Sequence, residues 1–476
     1  MSGGVVLSIV TAGVSQIGYE TLKRVLLLDR SQSMNRILIL VAATLFISAT
    51  AVSAASIQFT ISGMLKKALH NNPLLVNEQL KIRKAKLQLE SVRHKALLPT
   101  LNFDVQFGVV PESDQEFIDG LGPFTRFELK ALQPLYTFGK VGYARELAGY
   151  GIDEARVKAK LVREKLVLQT IRMFWNLRAA NKGQEIAEKL RKEYRKLLEE
   201  VKRDSRKKES DITAVDLLNV RSSSFVIEQQ YHSAVEAVRK ISAVIRIFLQ
   251  LQGNAPLSTE AVSFPDFDYK KFNVNRALAF GSNHRPELRA LQFASTAAVA
   301  QLNLARSMRY PDFFIAAGGR IRWAGKRPDD DDYNDKGLGA FLGLRWKLNF
   351  WQANDGVKKA RISFLSFKEK SRQLQARIAL EIREAHSRLI KEFELLFAVR
   401  KSLKNSRTWY RLAGDNWEMG LGKLNEFIKS YTTYFKLERA TIKQELACGE
   451  ALARLAYVIG DTKLTLRWLK YEKITF

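Results

Sequence analysis

The chain has 476 residues, 46% of them hydrophobic, and a formal net charge of +28. That is enough apolar material for two or three ordinary domains, and it excludes a disordered basic tail. The single cysteine, Cys448, excludes an intrachain disulfide and a multi-cysteine zinc site, and the five histidines (His70, His94, His232, His284, His386) lack ligand spacing.

Met34-Asn35-Arg36 is followed by the apolar run ILILVAATLFISATAV and then by Ser53-Ala54-Ala55. A basic start, a core of that length and a small-residue exit predict a secretory signal peptide over 34–54, cut after Ala54. The run is shorter than the roughly 20 residues of a spanning helix, which argues against a transmembrane anchor. Residues 1–33, upstream of a good start methionine, read as a miscalled N-terminal extension. No cysteine stands at the cleavage point, so an N-terminal lipid anchor is not expected.

A first unit is expected over 55–260. Ile61 to Ala96 reads as helix, rich in Leu, Lys and Ala, and Pro99 ends it. A strand near 100–110, LNFDVQFGV, alternates Leu101, Phe103, Val105, Phe107 and Val109 with Asn102, Asp104 and Gln106, a strict period of two. After the polar stretch ESDQEFIDGLG, a second strand near 124–137 sets Phe127, Leu129 and Ala131 against Arg126, Glu128 and Lys130. From Lys140 to about Asp204 only isolated glycines interrupt a helical pattern, giving roughly 95 Å of helix at 1.5 Å per residue. The spacing of Ala187, Leu190, Tyr194, Leu197 and Val201 is a coiled-coil seam. The polar turn SRKKESDIT then reverses the chain into a second helix, closing a hairpin over 140–253.

The plan recurs over 261–476. HNNPLL at Pro73 returns as NHRPEL at Pro286, LLPTLNF at Pro99 as RYPDFFI at Pro311, and LQPLYTF at Leu135 as RWKLNFW at Leu348, at offsets of 213, 212 and 213 residues. Three landmarks at one offset imply a duplicated unit. Here the strands are expected near 312–323 and 337–351, and the hairpin at 355–460. Phe313, Ile315, Ala317, Ile321 and Trp323 oppose Arg320 and Arg322. In GLGAFLGLRWKLNFW, Leu338, Ala340, Leu342, Leu344, Trp346 and Leu348 oppose Arg345 and Lys347. The aspartate run Asp329 to Asp332 lacks the spacing of a calcium loop and reads as a solvated turn.

Amphipathic strands of about ten residues fit a membrane β-barrel, apolar outside and polar inside. Four strands cannot close one, since about eight are the minimum, so the barrel is expected to be shared among chains. A four-stranded sheet on a soluble core is the alternative; mid-strand charges and the secretion signal weigh against it. Literal alternation makes Arg126, Glu128, Lys130, Arg320, Arg322, Arg345 and Lys347 pore-lining and, with Asp104, gives a net charge of +4 per chain. Such a lumen favours anions.

No nucleophile, base and oxyanion arrangement and no glycine-rich phosphate loop can be assembled, so the chain reads as a passive conduit, without cofactor or metal. The basic residues are spread along helices with interspersed Glu, as in EKLRKEYRKLLEE at 188–200. They read as solvated faces, and no nucleic-acid partner is expected.

The order of proline-punctuated helix, strand pair and coiled hairpin, twice over, resembles the TolC-type outer-membrane efflux proteins. The matching pieces are ALHNNPLL, LLPTLNF, LQPLYTFGK, RPEL, LARSMRYPDFF and the closing stretch from NWEMGLGK to LAYVIG, spanning about residues 61–460. The resemblance implies a mostly α chain with a membrane β part. It implies a homotrimer with a twelve-stranded barrel in the outer membrane of a Gram-negative bacterium, continued by an α-helical barrel across the periplasm. Implied partners are outer-membrane lipid, a periplasmic adaptor and an inner-membrane pump, in drug or metal efflux or type I secretion. The family's hairpin tips carry a valine-glycine-leucine-like motif that meets the adaptor. Met419, Gly420 and Leu421 match it, while Asp211 and Ile212 occupy the first tip without the glycine. Plain helix reversal also favours a glycine there. The family closes its periplasmic entrance with acidic side chains; here Arg411 and Asp415 stand in that place. The alternative is a periplasmic coiled-coil adaptor or scaffold without a membrane barrel.

Overall fold

The computed structural model describes residues 56–70, 72–111, 120–207, 212–260, 272–325 and 334–461. The extension at 1–33, the signal peptide at 34–54, Asp211 and the run Asp329 to Asp332 lie outside the described residues. Two units are distinguished. In the small one, the Ile57 N–H donates to the Pro256 carbonyl over 2.9 Å. The large one, Gln58–Gly253 together with the chain from Leu257, holds all that follows.

The elements run β1 (Ile57–Phe59), α1 (Ile61–Leu69), α2 (Pro73–Leu97), β2 (Thr100–Pro111), β3 (Leu121–Tyr136), α3 (Lys140–Asp204) and α4 (Ala214–Leu249). The same order follows in β4 (Leu257–Thr259), α5 (Val274–His284), α6 (Pro286–Ser307), β5 (Asp312–Ala324), β6 (Lys336–Arg345), α7 (Phe350–Glu418) and α8 (Leu424–Ile459). The chain is mostly helical, and among the described residues no helix is long and apolar enough to cross a membrane.

The two proline motifs act alike. A residue before proline is pushed out of the helical region, so each motif breaks a helix in two. Asn72 caps α2 by accepting the Leu74 N–H at 3.0 Å, with Pro73 in the first turn; Arg285 stands extended between α5 and Pro286. The helical reading of Ile61 to Ala96 therefore resolves into two helices.

The strands β2, β3, β5 and β6 form one antiparallel sheet in that order, so β3 and β5 join the two halves of the chain. The last strand is shorter than its alternation suggests. β5 begins at Asp312, paired with Arg345, and Pro311 before it has no N–H to extend the ladder. The Trp346 indole N–H donates instead to the Arg309 carbonyl at 3.0 Å, and Phe350 and Trp351 already belong to α7.

The helices bury their apolar seams against one another. Ala187, Leu190, Tyr194, Leu197 and Val201 of α3 are all buried. Toward the hairpin ends Leu190, Tyr194, Leu197 and Val201, with Ile186, join Val220 and Ile227 of α4 and Leu424, Ile428, Tyr431 and Phe435 of α8 in one core. Further along, Trp175 packs against Gly449, where a Cβ would sit 2.8 Å from the indole. Some basic helical residues are paired within the bundle: Arg191 and Arg195 both pair with Glu228, at 2.8 and 2.7 Å.

Candidate channel wall and hairpin tips

Cross-strand partners point to the same side of a sheet, so the register defines two faces. One carries Leu101, Phe103, Val105, Phe107 and Val109 of β2, continues through Phe127, Leu129 and Ala131 of β3, and reaches Ile315, Ala317 and Ile321 of β5 and Leu338, Ala340 and Leu342 of β6. This face is open, with Phe107 76% and Leu338 93% exposed. Leu101 to Val109 covers about 27 Å of strand, or roughly 20 Å of height at a barrel-like tilt.

The other face holds the charges, apart from Lys336, which pairs with Ile321 at the first residue of β6. Asp104, Glu128 and Arg320 form one row; Gln106, Arg126 and Arg322 form the next. Glu128 lies between Arg126 and Lys130, at 2.5 Å from each. The Arg345 guanidinium sits 5.1 Å over the Phe314 ring, so this face also carries aromatic surface.

Two features change the sequence-level charge of this face. Asp335, just before β6, folds back onto Arg320 and Arg322 at 2.6 and 2.5 Å, and Lys347 lies past the end of the strand. Five strand cations then share the face with Asp104, Glu128, Asp335 and Asp312, the cross-strand partner of Arg345, a net +1 per chain instead of +4. Asp335 closes a polar, aspartate-rich stretch, and nothing in the period of two marks it as a partner of β5.

At the helix-side end of the sheet, the backbone turns sharply from β3 into α3. Phe138 and Gly139 both have positive φ, 49° and 83°. Phe138 is held there by stacking on Tyr310 at 5.3 Å and edge contact with Tyr136 at 4.8 Å.

The second hairpin turn is a Schellman closure. The Leu421 N–H donates to the Asn416 carbonyl at 2.8 Å, the Gly420 N–H donates to Trp417 at 3.0 Å, and Gly420 has φ +72°. The glycine is thus accounted for by helix reversal. Its neighbours are not, because Met419 and Leu421 are 62% and 79% exposed and apolar. The turn is also tighter than the sequence suggests: α7 stays helical to Glu418 because Trp417 stacks on Phe427 at 5.2 Å and Ala413 is buried.

At the first tip, Thr213 and Asp216 form a capping box, with the Asp216 N–H on the Thr213 hydroxyl at 3.1 Å and the Thr213 N–H on the Asp216 carboxylate at 3.1 Å. Ile212 and Leu217 both pack on the hairpin core, at the positions of a hydrophobic staple. Arg411 and Asp415 are both exposed, one helical turn apart on α7.

Sequence reasoning missed a buried charge cluster where the helices meet. Arg285 donates to Glu287 at 2.9 and 3.0 Å, to Glu381 of α7 at 3.1 Å and to the Val458 carbonyl of α8 at 2.8 Å. The signal was the arginine of the RPEL motif itself. Burial, together with the nearby Glu287, pushes the Glu164 carboxyl on α3 up to about 7, although Lys160, Arg285 and Arg163 oppose the shift. Cys448 is buried, donates to the Glu392 carbonyl, and has its thiol pushed up to about 12 by burial, so it is no nucleophile. Among the described residues no cluster of His, Cys, Asp and Glu is arranged to hold a metal ion.

This fold, an open sheet with one apolar and one charged face mounted on paired helical hairpins, is similar to that of solved outer-membrane channels. Residues 282–461 match the family model of the outer membrane efflux protein, and the resemblance to the TolC-type proteins holds. The fold matches the solved channel CusC with a TM-score of 0.71 at 15% identity, covering 85% of this chain and 93% of that one. It matches the Campylobacter jejuni outer membrane channel CmeC with a TM-score of 0.71 at 13% identity, over 84% of this chain and 86% of that one. It matches the open state of the Neisseria gonorrhoeae outer membrane channel MtrE with a TM-score of 0.69 at 15% identity, over 84% and 89%. No curated protein sequence matches the chain.

Proposed function

We propose that this protein is the outer-membrane exit duct of a tripartite efflux pump or type I secretion system, conducting cargo passively from an inner-membrane transporter and a periplasmic adaptor. The observation that carries this reading is the exposed apolar face, continuous across all four strands and backed by a charged one. Leaving such a face in water opposes folding at about 25 cal/mol per Å², and bilayer hydrocarbon removes that penalty. A periplasmic scaffold has no use for it.

β2 and β6 are the edges of the sheet, and unpaired edges do not persist in lipid. Pairing β6 of one copy with β2 of the next closes a twelve-stranded barrel from three chains. The long hairpins then continue the duct into the periplasm, lined at the membrane by Arg126, Glu128, Lys130, Arg320, Arg322 and Arg345. Met419 and Leu421 are the surface offered to the adaptor at the tips, and Arg411 and Asp415 flank the periplasmic entrance.

Membrane fractionation with unheated and heated gel electrophoresis tests the reading. Heat-dissociable trimers in the outer-membrane fraction that conduct in planar bilayers are expected. A soluble periplasmic monomer would overturn it.

A further inference from the structure

Where α2 enters the sheet and α3 leaves it, the surface opens into a groove of about 530 Å³. Its walls are apolar: Leu97, Leu135, Tyr136 and Val141 line it, and the first three are more than half exposed. Leu135 is the extra residue at a bulge in β3, and Tyr136 beyond it pairs with Phe313. Tyr136 therefore lies on the apolar side of the sheet, and the groove continues that surface toward the helices.

Two arginines stand at the helical end of the groove, Arg93 from the last turns of α2 and Arg145 from the second turn of α3. Both are exposed, and among the described residues neither has a carboxylate within ion-pair distance. Lys140 at the start of α3, by contrast, is paired with Asp312 at 2.7 Å. Arg93 and Arg145 stand about 6 to 8 Å along their helices from the helix ends that face the sheet, which is headgroup depth if the sheet spans the hydrocarbon.

We infer that this groove binds an anionic glycerophospholipid of the periplasm-facing leaflet, its phosphate held by Arg93 and Arg145 and its acyl chains lying along Leu97 and Leu135. The inference rests on the sheet being a membrane wall. Guanidinium groups suit a phosphate because two N–H donors meet two oxygens at once. The apolar walls continuous with the lipid face favour a tethered phosphate over a free one. Each arginine near the surface is worth about 1 kcal/mol toward an anionic leaflet, equivalent to about fivefold in preference.

The test uses the full chain reconstituted into vesicles of equimolar phosphatidylcholine and phosphatidylglycerol. Flotation reads insertion, and native mass spectrometry after mild detergent extraction reads the lipids retained. The protein is expected to float and to keep phosphatidylglycerol selectively. The Arg93→Gln/Arg145→Gln variant floats equally but loses the preference, about fivefold for each arginine. A variant neutralising Arg372 and Lys404 on α7, far from the sheet, keeps it. Unchanged preference in the Arg93/Arg145 variant, or stripping of the lipid by excess inorganic phosphate, overturns the inference while the membrane reading stands. Failure of the unaltered protein to float overturns both.

Discussion

Asp335 binds Arg322 at 2.5 Å, carboxylate to guanidinium Nε, and its second oxygen reaches Arg320 at 2.6 Å. One carboxylate thus offsets the densest positive charge on the charged face of the sheet. Charge lining a pore sets which ions it admits. Asp335→Asn raises the net charge of this face from +1 to +2 per chain, and reversal potentials in a salt gradient should shift further toward anion preference. A shift toward cations would show that this face does not line the conduction path.

The tip makes a second, separable prediction. Met419 and Leu421 contribute nothing visible to the hairpin core, whereas Ile212 and Trp417 pack against it. Leu421→Asp should leave the melting temperature within about 1 °C, as surface changes do, yet abolish crosslinking of an adaptor through a probe at Gly420. Gly420→Ala behaves oppositely, costing about 1 kcal/mol from its left-handed backbone with the apolar contacts kept. Equal loss of crosslinking and stability in both variants would mean that the tip has only a structural role.

Much of this architecture was legible because periodicity reports burial. The seam from Ala187 to Val201 and the alternation from Leu101 to Val109 each name a face, and both faces are found as read. What periodicity does not report is where a partner ends. Trp346, Leu348 and Phe350 continue the alternation of β6, but Pro311 has already stopped β5 opposite them. Contacts between distant segments were equally hidden: Asp335 on Arg320 and Arg285 on Glu381 depend on topology. Ile212 stands at the first tip, but its packing on the hairpin core, shared with Leu217, is not visible in the sequence.

Arg285 should be among the least replaceable residues in the helical body. It is buried and bonded to two carboxylates and a backbone carbonyl, linking α6, α7 and α8. Arg285→Ala leaves Glu287 and Glu381 without their shared cation and the Val458 carbonyl without a donor. Removing one member of a buried ion cluster costs about 3–5 kcal/mol. Lysine cannot span three partners with one ammonium, so Arg285→Lys should recover only part of this. Thermal unfolding in detergent measures both; an alanine variant melting like the parent would refute the hub.

Glu164 makes the helical body sensitive to pH. Its carboxyl is pushed up to about 7 by burial, with Glu287 adding to the shift and Lys160, 3.8 Å away, opposing it. Between about pH 4.5 and 7 the folded chain keeps a proton at this site that the unfolded chain has released. Stability therefore falls as pH rises through that window, by at most about 3 kcal/mol and nearer 2 after solvent screening. Glu164→Gln keeps the shape, removes the titration, and should flatten the melting temperature between pH 5 and pH 8 while raising it at the upper end. Parallel pH profiles for the two proteins would show that Glu164 is ionised throughout and paired more strongly than its surroundings indicate.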